Sequence, residues 1–224
     1  MLMKFSKHLV VMGVFMAGLA LAPASDAWPS LSGLMGHKSS NTSLGASQQA
    51  LITDFVGSQR EILQAQAFLE RAYGFKDKAE LLQAQQKALS SGPVDENSLK
   101  KTVELSQSAN KQIAAEQAKQ GALTSQEKAA YTASLPHFAD GVIETAKTVM
   151  AIQNFASSAE SGGSGLAAMV SGADKLKVGL YIAKVTPAYS KELYSVFKKT
   201  VTIGRKNGVT IPANATNALG SLTP

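Results

Sequence analysis

The stretch that decides the fold lies in the second half of the chain, where residues 131–155 read YTASLPHFADGVIETAKTVMAIQNF. Its apolar residues recur at steps of three, four and seven, which places them on one side of an α-helix and predicts that this side is buried. They are Tyr131, Leu135, Phe138, Val142, Ala146, Val149, Ile152 and Phe155. This is the strongest apolar stripe in the sequence, and we expect it at the centre of a helical bundle. Pro136 lacks a backbone donor and predicts a kink or a short break near residues 134–136.

Two helices joined by a short connection are predicted from residue 47 onward. The first begins at Ser47 and ends at Gly74, since glycine favours the left-handed conformation in which many helices stop. The second covers residues 76–90 and is followed by Ser91-Gly92-Pro93. Because so few residues connect the two, we expect an antiparallel helical hairpin.

A third helix is predicted over residues 96–120, with Asp95 as its N-cap. Its apolar stripe is thin, because Gln, Ser, Asn and Lys separate the few apolar residues, so we expect it to face mostly solvent. Thr124 stands three residues before Glu127, the spacing of a capping box. The fourth helix, which contains the stretch quoted above, should begin there.

The last third of the chain predicts two more helices after a Ser/Gly loop at residues 161–165. The fifth helix covers residues 166–185. The sixth starts with Thr186 as its cap and Pro187 at its first helical position, where the fixed angle of proline suits a helix.

The end of the sixth helix has two interpretations around Asn207-Gly208. Basic residues before this pair favour a last helical turn with a left-handed cap. The sequence Val-Thr-Ile at 201–203 and again at 209–211 instead favours a β-hairpin. The predicted fold is therefore all-α, an antiparallel bundle of five or six helices, with a short β-hairpin near the C-terminus as the open alternative.

The N-terminus has the pattern of a secretory signal. Lys4 and Lys7 precede an uncharged apolar run, and small residues follow it at positions suited to signal peptidase, so residues 1–27 are expected to be cleaved. Residues 28–46 are rich in Ser, Gly and Asn and are predicted to form a flexible leader. Residues 47–224 form the predicted single helical domain, and the signal predicts a periplasmic or secreted protein.

Several kinds of chemistry are not expected from this sequence. The chain has no cysteine, which excludes disulfides, thiolate nucleophiles and thiolate metal sites. His37 and His137 have no partner at the spacing of metal ligands, so no metal or other cofactor is predicted. Asp140 and Glu144 share a helical face, which is typical of a solvated charged surface, and no catalytic residue is predicted.

Basic charge is concentrated at the C-terminal end. From Asp174 onward eight Lys and Arg residues stand against two acidic residues, whereas residues 28–173 contain twelve basic and thirteen acidic residues. Such a surface attracts anionic envelope polymers, lipid headgroups or an acidic protein face. The predicted partner-binding residues are Lys191, Lys198, Lys199, Arg205 and Lys206.

Small residues form a stripe in the predicted fifth helix. Gly165, Gly172 and Gly179 recur every seven residues. Glycine inside a helix costs about 1 kcal/mol relative to alanine. We interpret the stripe as a seam of close helix packing; the alternative is a segment that changes partner or enters a membrane.

These features together predict an exported helical protein with a binding or assembly role. They favour a protein that is not an enzyme without excluding an enzyme. The expected partner is a protein or an anionic envelope component, peripheral membrane contact stays open, and nucleic acid is not expected because its binding motifs are missing. Two alternatives remain: a membrane-active, pore-forming-like helical protein, and a hydrolase without a recognisable motif. The oligomeric state does not follow from the sequence.

Overall fold

The protein is all-α over the residues that the computed structural model describes, which are 44–119, 121–161 and 173–221. Within these ranges no strand occurs. The signal, residues 28–43 of the predicted leader, and the start of the predicted fifth helix lie outside the described residues. The helices, named in chain order, are α1 (Leu44–Ala72), α2 (Lys76–Ser91), α3 (Glu96–Ala118), α4 (Ser125–Ser161), α5 (Ala173–Lys206) and α6 (Ala213–Ser221).

Helix α1 begins three residues before the predicted Ser47 and ends as predicted just before Gly74. Gly74 has a φ of 87°, a conformation that a residue with a side chain rarely adopts. The N–H of Phe75 donates to the carbonyl of Glu70 at 2.8 Å, and the N–H of Gly74 donates to that of Arg71 at 3.0 Å. These two bonds are those of a Schellman motif, which occupies the last carbonyls of the helix.

Predicted caps start helices α3 and α4. The Asp95 carboxylate accepts from the N–H of Ser98 at 2.7 Å, and the N–H of Asp95 donates to the Ser98 hydroxyl at 3.0 Å. At α4 the N–H of Thr124 donates to the Glu127 carboxylate at 2.5 Å, and the N–H of Glu127 donates to the Thr124 hydroxyl at 3.3 Å. Each pair satisfies backbone donors that a helix start leaves unpaired, so both capping predictions are confirmed.

The β-hairpin alternative at Asn207-Gly208 is wrong. Gly208 has a φ of 71°, and the N–H of Val209 donates to the carbonyl of Gly204 at 2.9 Å, so α5 ends in a second Schellman motif. Val201, which a hairpin would need in a strand, is fully buried as part of α5. The left-handed cap interpretation is the one that the structure shows.

The predicted boundary between a fifth and a sixth helix at Thr186 is also wrong. Helix α5 continues through Pro187. The Thr186 hydroxyl donates to the carbonyl of Ile182 at 2.7 Å, which is a bond within a helix and not a cap. Ile182 and Tyr189, one on each side of the proline, are both fully buried. Burial of one continuous face therefore outweighs the cost of a proline inside the helix.

Helix α4 likewise passes through Pro136 without the break that the sequence allowed. The hydroxyl of Ser134 donates to the carbonyl of Tyr131 at 2.6 Å, close to the turn that the proline disturbs. Leu135 and Phe138, on either side of the proline, are fully buried. As at Pro187, burial of the apolar side chains outweighs the cost of a proline inside the helix.

Contacts between side chains show how the helices run. Ser47 meets Ser158 at 2.7 Å, and Glu61 meets His137 at 2.7 Å, so α1 and α4 are antiparallel. Helix α4 packs more extensively on α1 than on any other helix. Helices α3 and α5 are parallel, because two side-chain hydrogen bonds at different points along them, Ser106 with Tyr189 and Gln117 with Thr200, both join residues 83 apart in the chain.

Among the described residues, six large aromatic side chains on α1, α4 and α5 are at most 1 % exposed and lie in the core. Half of them come from residues 131–155, the stretch with the strongest apolar stripe. The six are Phe55, Tyr131, Phe138, Phe155, Tyr189 and Phe197.

Candidate functional site

Helix α5 carries a row of exposed cations. Lys184, Lys191, Lys198 and Arg205 are separated by seven residues each, and all four side chains are exposed. Two helical turns bring successive members back to nearly the same side, and the rise of 1.5 Å per residue separates neighbours by about 10.5 Å. Lys177, seven residues earlier, is also exposed. We call the four residues from Lys184 to Arg205 the basic row.

The exposed residues of α5 between the cations of the basic row are uncharged and mostly small. These exposed residues are Pro187, Ala188, Ser195 and Thr202. Glu192 is the one acidic residue of α5 whose side chain is described, and it is half-buried, with Oε1 enclosed. The cations of the row therefore face solvent without acidic neighbours on the exposed side of their own helix.

The basic row makes no ion pair with any residue in the described ranges. The ion pairs found there are Lys119–Glu116, Lys147–Glu144 and His137–Glu61, all on other helices. Neighbouring cations in the row repel each other by only about 0.4 kcal/mol at this spacing in water. Repulsion within the row therefore destabilises the folded protein only slightly. The combined positive potential of the four cations attracts anions.

The structure places the five predicted partner-binding residues differently. Lys191, Lys198 and Arg205 belong to the row, and Lys206 is exposed at the end of α5. Lys199 is half-buried, and its Nζ donates to the carbonyl of Ala114 on α3 at 3.3 Å, so it supports helix packing. Lys184 also belongs to the row but is not among the five predicted residues, although its seven-residue spacing to Lys191 is visible in the sequence.

Of the predicted glycine seam, only Gly179 lies in the described residues; Gly165 and Gly172 lie outside them. A methyl group at Gly179 would come within 3.0 Å of Cζ of Phe155 and 3.2 Å of Cγ of Gln48. Helices α1 and α4 therefore approach α5 closely at this position. The seam as a whole stays a prediction.

The residues considered for acid–base chemistry are engaged separately. Nδ1 of His137 lies 2.7 Å from Oε2 of Glu61, which links α4 to α1. Asp140 accepts a hydrogen bond from Asn214 on α6 at 3.0 Å, and Glu144 pairs with Lys147 at 2.6 Å. Nothing in these contacts joins them into one catalytic group.

A buried polar network on α3 was not predicted. Nε2 of Gln66 lies 2.8 Å from Oγ of Ser106 and 2.8 Å from Oδ1 of Asn110. Oγ of Ser106 also lies 2.7 Å from the Tyr189 hydroxyl, which donates to Gln59 at 3.1 Å. All of these side chains are at most 4 % exposed. Helix α3 thus packs through polar residues that a search for apolar periodicity does not count.

Glu70, one turn after Gln66, is fully buried, and neither of its carboxylate oxygens has a hydrogen-bond partner among the described residues. Burial raises the pKa of Glu70 to about 7; the nearby Lys78 opposes this shift and Glu116 adds to it. The folded protein therefore holds this carboxyl largely protonated in mildly acidic solution.

An open cleft of about 520 Å³ lies between the end of α1 and the start of α4. Charges of both signs line it, including Arg71, Lys76, Glu80 and Glu127. Arg71 already donates to Gln83 and Glu127 already caps α4, so the cleft offers fewer free groups than the basic row.

None of the helices in the described ranges has an apolar segment long enough to cross a membrane. Within the same residues no three His, Cys, Asp or Glu side chains come together as metal ligands. Comparisons of the chain with protein-family models, with curated proteins and with solved structures found no match.

Proposed function

We propose that this chain is an exported protein, folded as one helical bundle, that binds an anionic partner through the basic row of α5. The observation that carries the proposal is the row itself: four exposed cations at regular spacing with no ion pair to any described residue. Export rests on the signal pattern of residues 1–27.

The row suits recognition better than stability. Surface charges that pair with acidic neighbours contribute up to about 1 kcal/mol each, whereas unpaired like charges contribute nothing favourable. A linear set of cations instead raises the local concentration and association rate of anions. Lys206 at the end of α5 adds to this field, while Lys199 is occupied by its bond to Ala114.

Retention of the protein on immobilised dextran sulfate, with neutral dextran as the blank, tests the proposal. We expect retention at low salt that weakens by roughly tenfold or more on approaching 0.5 M salt, because exposed charges are screened. Reversal of all four residues of the row to Glu should abolish retention. The matched control reverses four exposed lysines of α2 and α3, Lys87, Lys100, Lys101 and Lys111, and should retain much more binding.

Equal loss of retention in both variants would show that only net charge matters and would contradict a site on α5. Salt-independent retention would contradict an electrostatic partner. Leakage of anionic vesicles at micromolar protein would favour the membrane-active alternative over the proposed binding role.

A further inference from the structure

We infer that the partner of the basic row is a linear acidic polysaccharide with one charged group per disaccharide. This inference rests on the proposed function and specifies its ligand. The cations are regularly spaced, and an extended disaccharide spans about the length of two helical turns. The inference rests on this match: the cations of the basic row and the carboxylates of such a polysaccharide each form a single line with a similar spacing.

The arrangement of the row is one-dimensional. Successive members are about 10.5 Å apart, and the line from Lys184 to Arg205 is about 32 Å long. The exposed residues beside the row, such as Ala188, Ser195 and Thr202, are small and uncharged. A chain of sugars can lie along such a line, with its hydroxyl groups against small polar side chains and its carboxylates near the cations.

A membrane surface and an acidic protein fit the same helix less well. Binding to lipid or to a helical partner draws much of its free energy from large apolar side chains that leave water. The one large apolar side chain that is exposed in the described residues is Leu81, which lies on α2. The row therefore offers charge without an apolar anchor, as expected for a hydrophilic polymer.

Hyaluronan oligosaccharides, which carry one carboxylate per disaccharide, are the probe. We expect affinity at low salt to rise with length up to four or five disaccharides and then to level off, because the line of exposed cations on α5 runs only from Lys177 to Arg205. Glucuronic acid alone should bind too weakly to detect. If the affinity kept rising for oligosaccharides much longer than five disaccharides, the proposed match between the length of the ligand and the length of the row would be wrong.

A charge-conserving variant tests the spacing. Lys191→Ser with Ser195→Lys, combined with Lys198→Thr and Thr202→Lys, keeps four cations on exposed positions of α5 but replaces the three seven-residue steps by steps of 11, 7 and 3 residues. We expect at least a fivefold loss of hyaluronan affinity and little change in retention on dextran sulfate, whose charges are dense. Unchanged hyaluronan affinity in this variant would overturn the inference.

Two further measurements distinguish a wrong ligand from a wrong proposed function. Stronger binding to anionic phosphatidylglycerol vesicles, or to duplex DNA, than to hyaluronan at equal anion concentration would assign the row to another ligand and overturn the polysaccharide. Failure to bind dextran sulfate, vesicles and hyaluronan alike would reject the proposed function itself. Helical content, measured by circular dichroism, checks that each variant is folded.

Discussion

Gly141 on α4 lies directly against Ile62 on α1. A methyl group at Gly141 would come within 2.7 Å of Cγ1 of Ile62 and 3.1 Å of its backbone nitrogen. Such distances are shorter than carbon and nitrogen atoms tolerate without a shift of the backbone. The two helices that pack most extensively thus approach each other closely at a glycine.

We expect Gly141→Ala to destabilise the protein by roughly 1–3 kcal/mol, because the added methyl group forces α1 and α4 apart. Chemical denaturation followed by circular dichroism measures the change. Gly57→Ala is the matched control: it lies inside α1 with no atom within 4 Å of an added methyl group. This substitution should stabilise by about 0.5–1 kcal/mol through helix propensity. Stabilisation by both substitutions would contradict the close contact.

The second prediction concerns Glu70, whose pKa rises from 4.5 to about 7 on folding. The folded state then holds a proton that the unfolded state has already lost, so its stabilising effect is complete below pH 4.5 and is lost as the pH rises to about 7. One proton changes the free energy of unfolding by at most about 1.4 kcal/mol per pH unit. Glu70→Gln should remove this component.

Denaturation of wild type and Glu70→Gln at a series of pH values measures the difference. The variant should gain relative to wild type between pH 4.5 and 7 and hold that advantage at higher pH. Glu80→Gln, on the exposed side of α2, removes the same charge and should follow the wild-type profile. Parallel profiles for wild type and Glu70→Gln would show that Glu70 is not protonated in the folded state.

The third prediction concerns the polar contact between α3 and α5. The Tyr189 hydroxyl lies 2.7 Å from Ser106 and donates to Gln59 at 3.1 Å, all inside the core. Tyr189→Phe keeps the ring and leaves both partners with fewer bonds, so we expect a loss of about 1–3 kcal/mol. Tyr194→Phe, at a half-exposed position of the same helix, should change stability by less than about 0.5 kcal/mol. A neutral Tyr189→Phe would contradict the network.

Sequence reasoning worked where the signal is local. The caps at Asp95 and Thr124 depend on a side chain three residues from the helix start, and the stops at Gly74 and Gly208 depend on one residue in a left-handed conformation. Such geometry is complete within about four residues. It can therefore be predicted without knowledge of the partners across the core.

The sequence did not predict which side chains are buried against helices that are far away along the chain. The polar face of α3 was expected to meet solvent, yet Ser106, Asn110 and Gln117 are buried because their partners come from α1 and α5. Likewise the basic residues near the C-terminus were predicted as a group, but only the observed face of α5 separates exposed Lys198 from half-buried Lys199.

The last prediction concerns Pro187, an exposed proline inside α5. It removes one helical hydrogen bond, whereas alanine restores the donor and adds helix propensity without entering the core. We expect Pro187→Ala to stabilise the protein by roughly 1–3 kcal/mol in chemical denaturation. Ala188→Gly, the neighbouring exposed position, should instead destabilise by about 1 kcal/mol. A destabilised Pro187→Ala would contradict this expectation and show that the proline itself helps to hold α5 against the core.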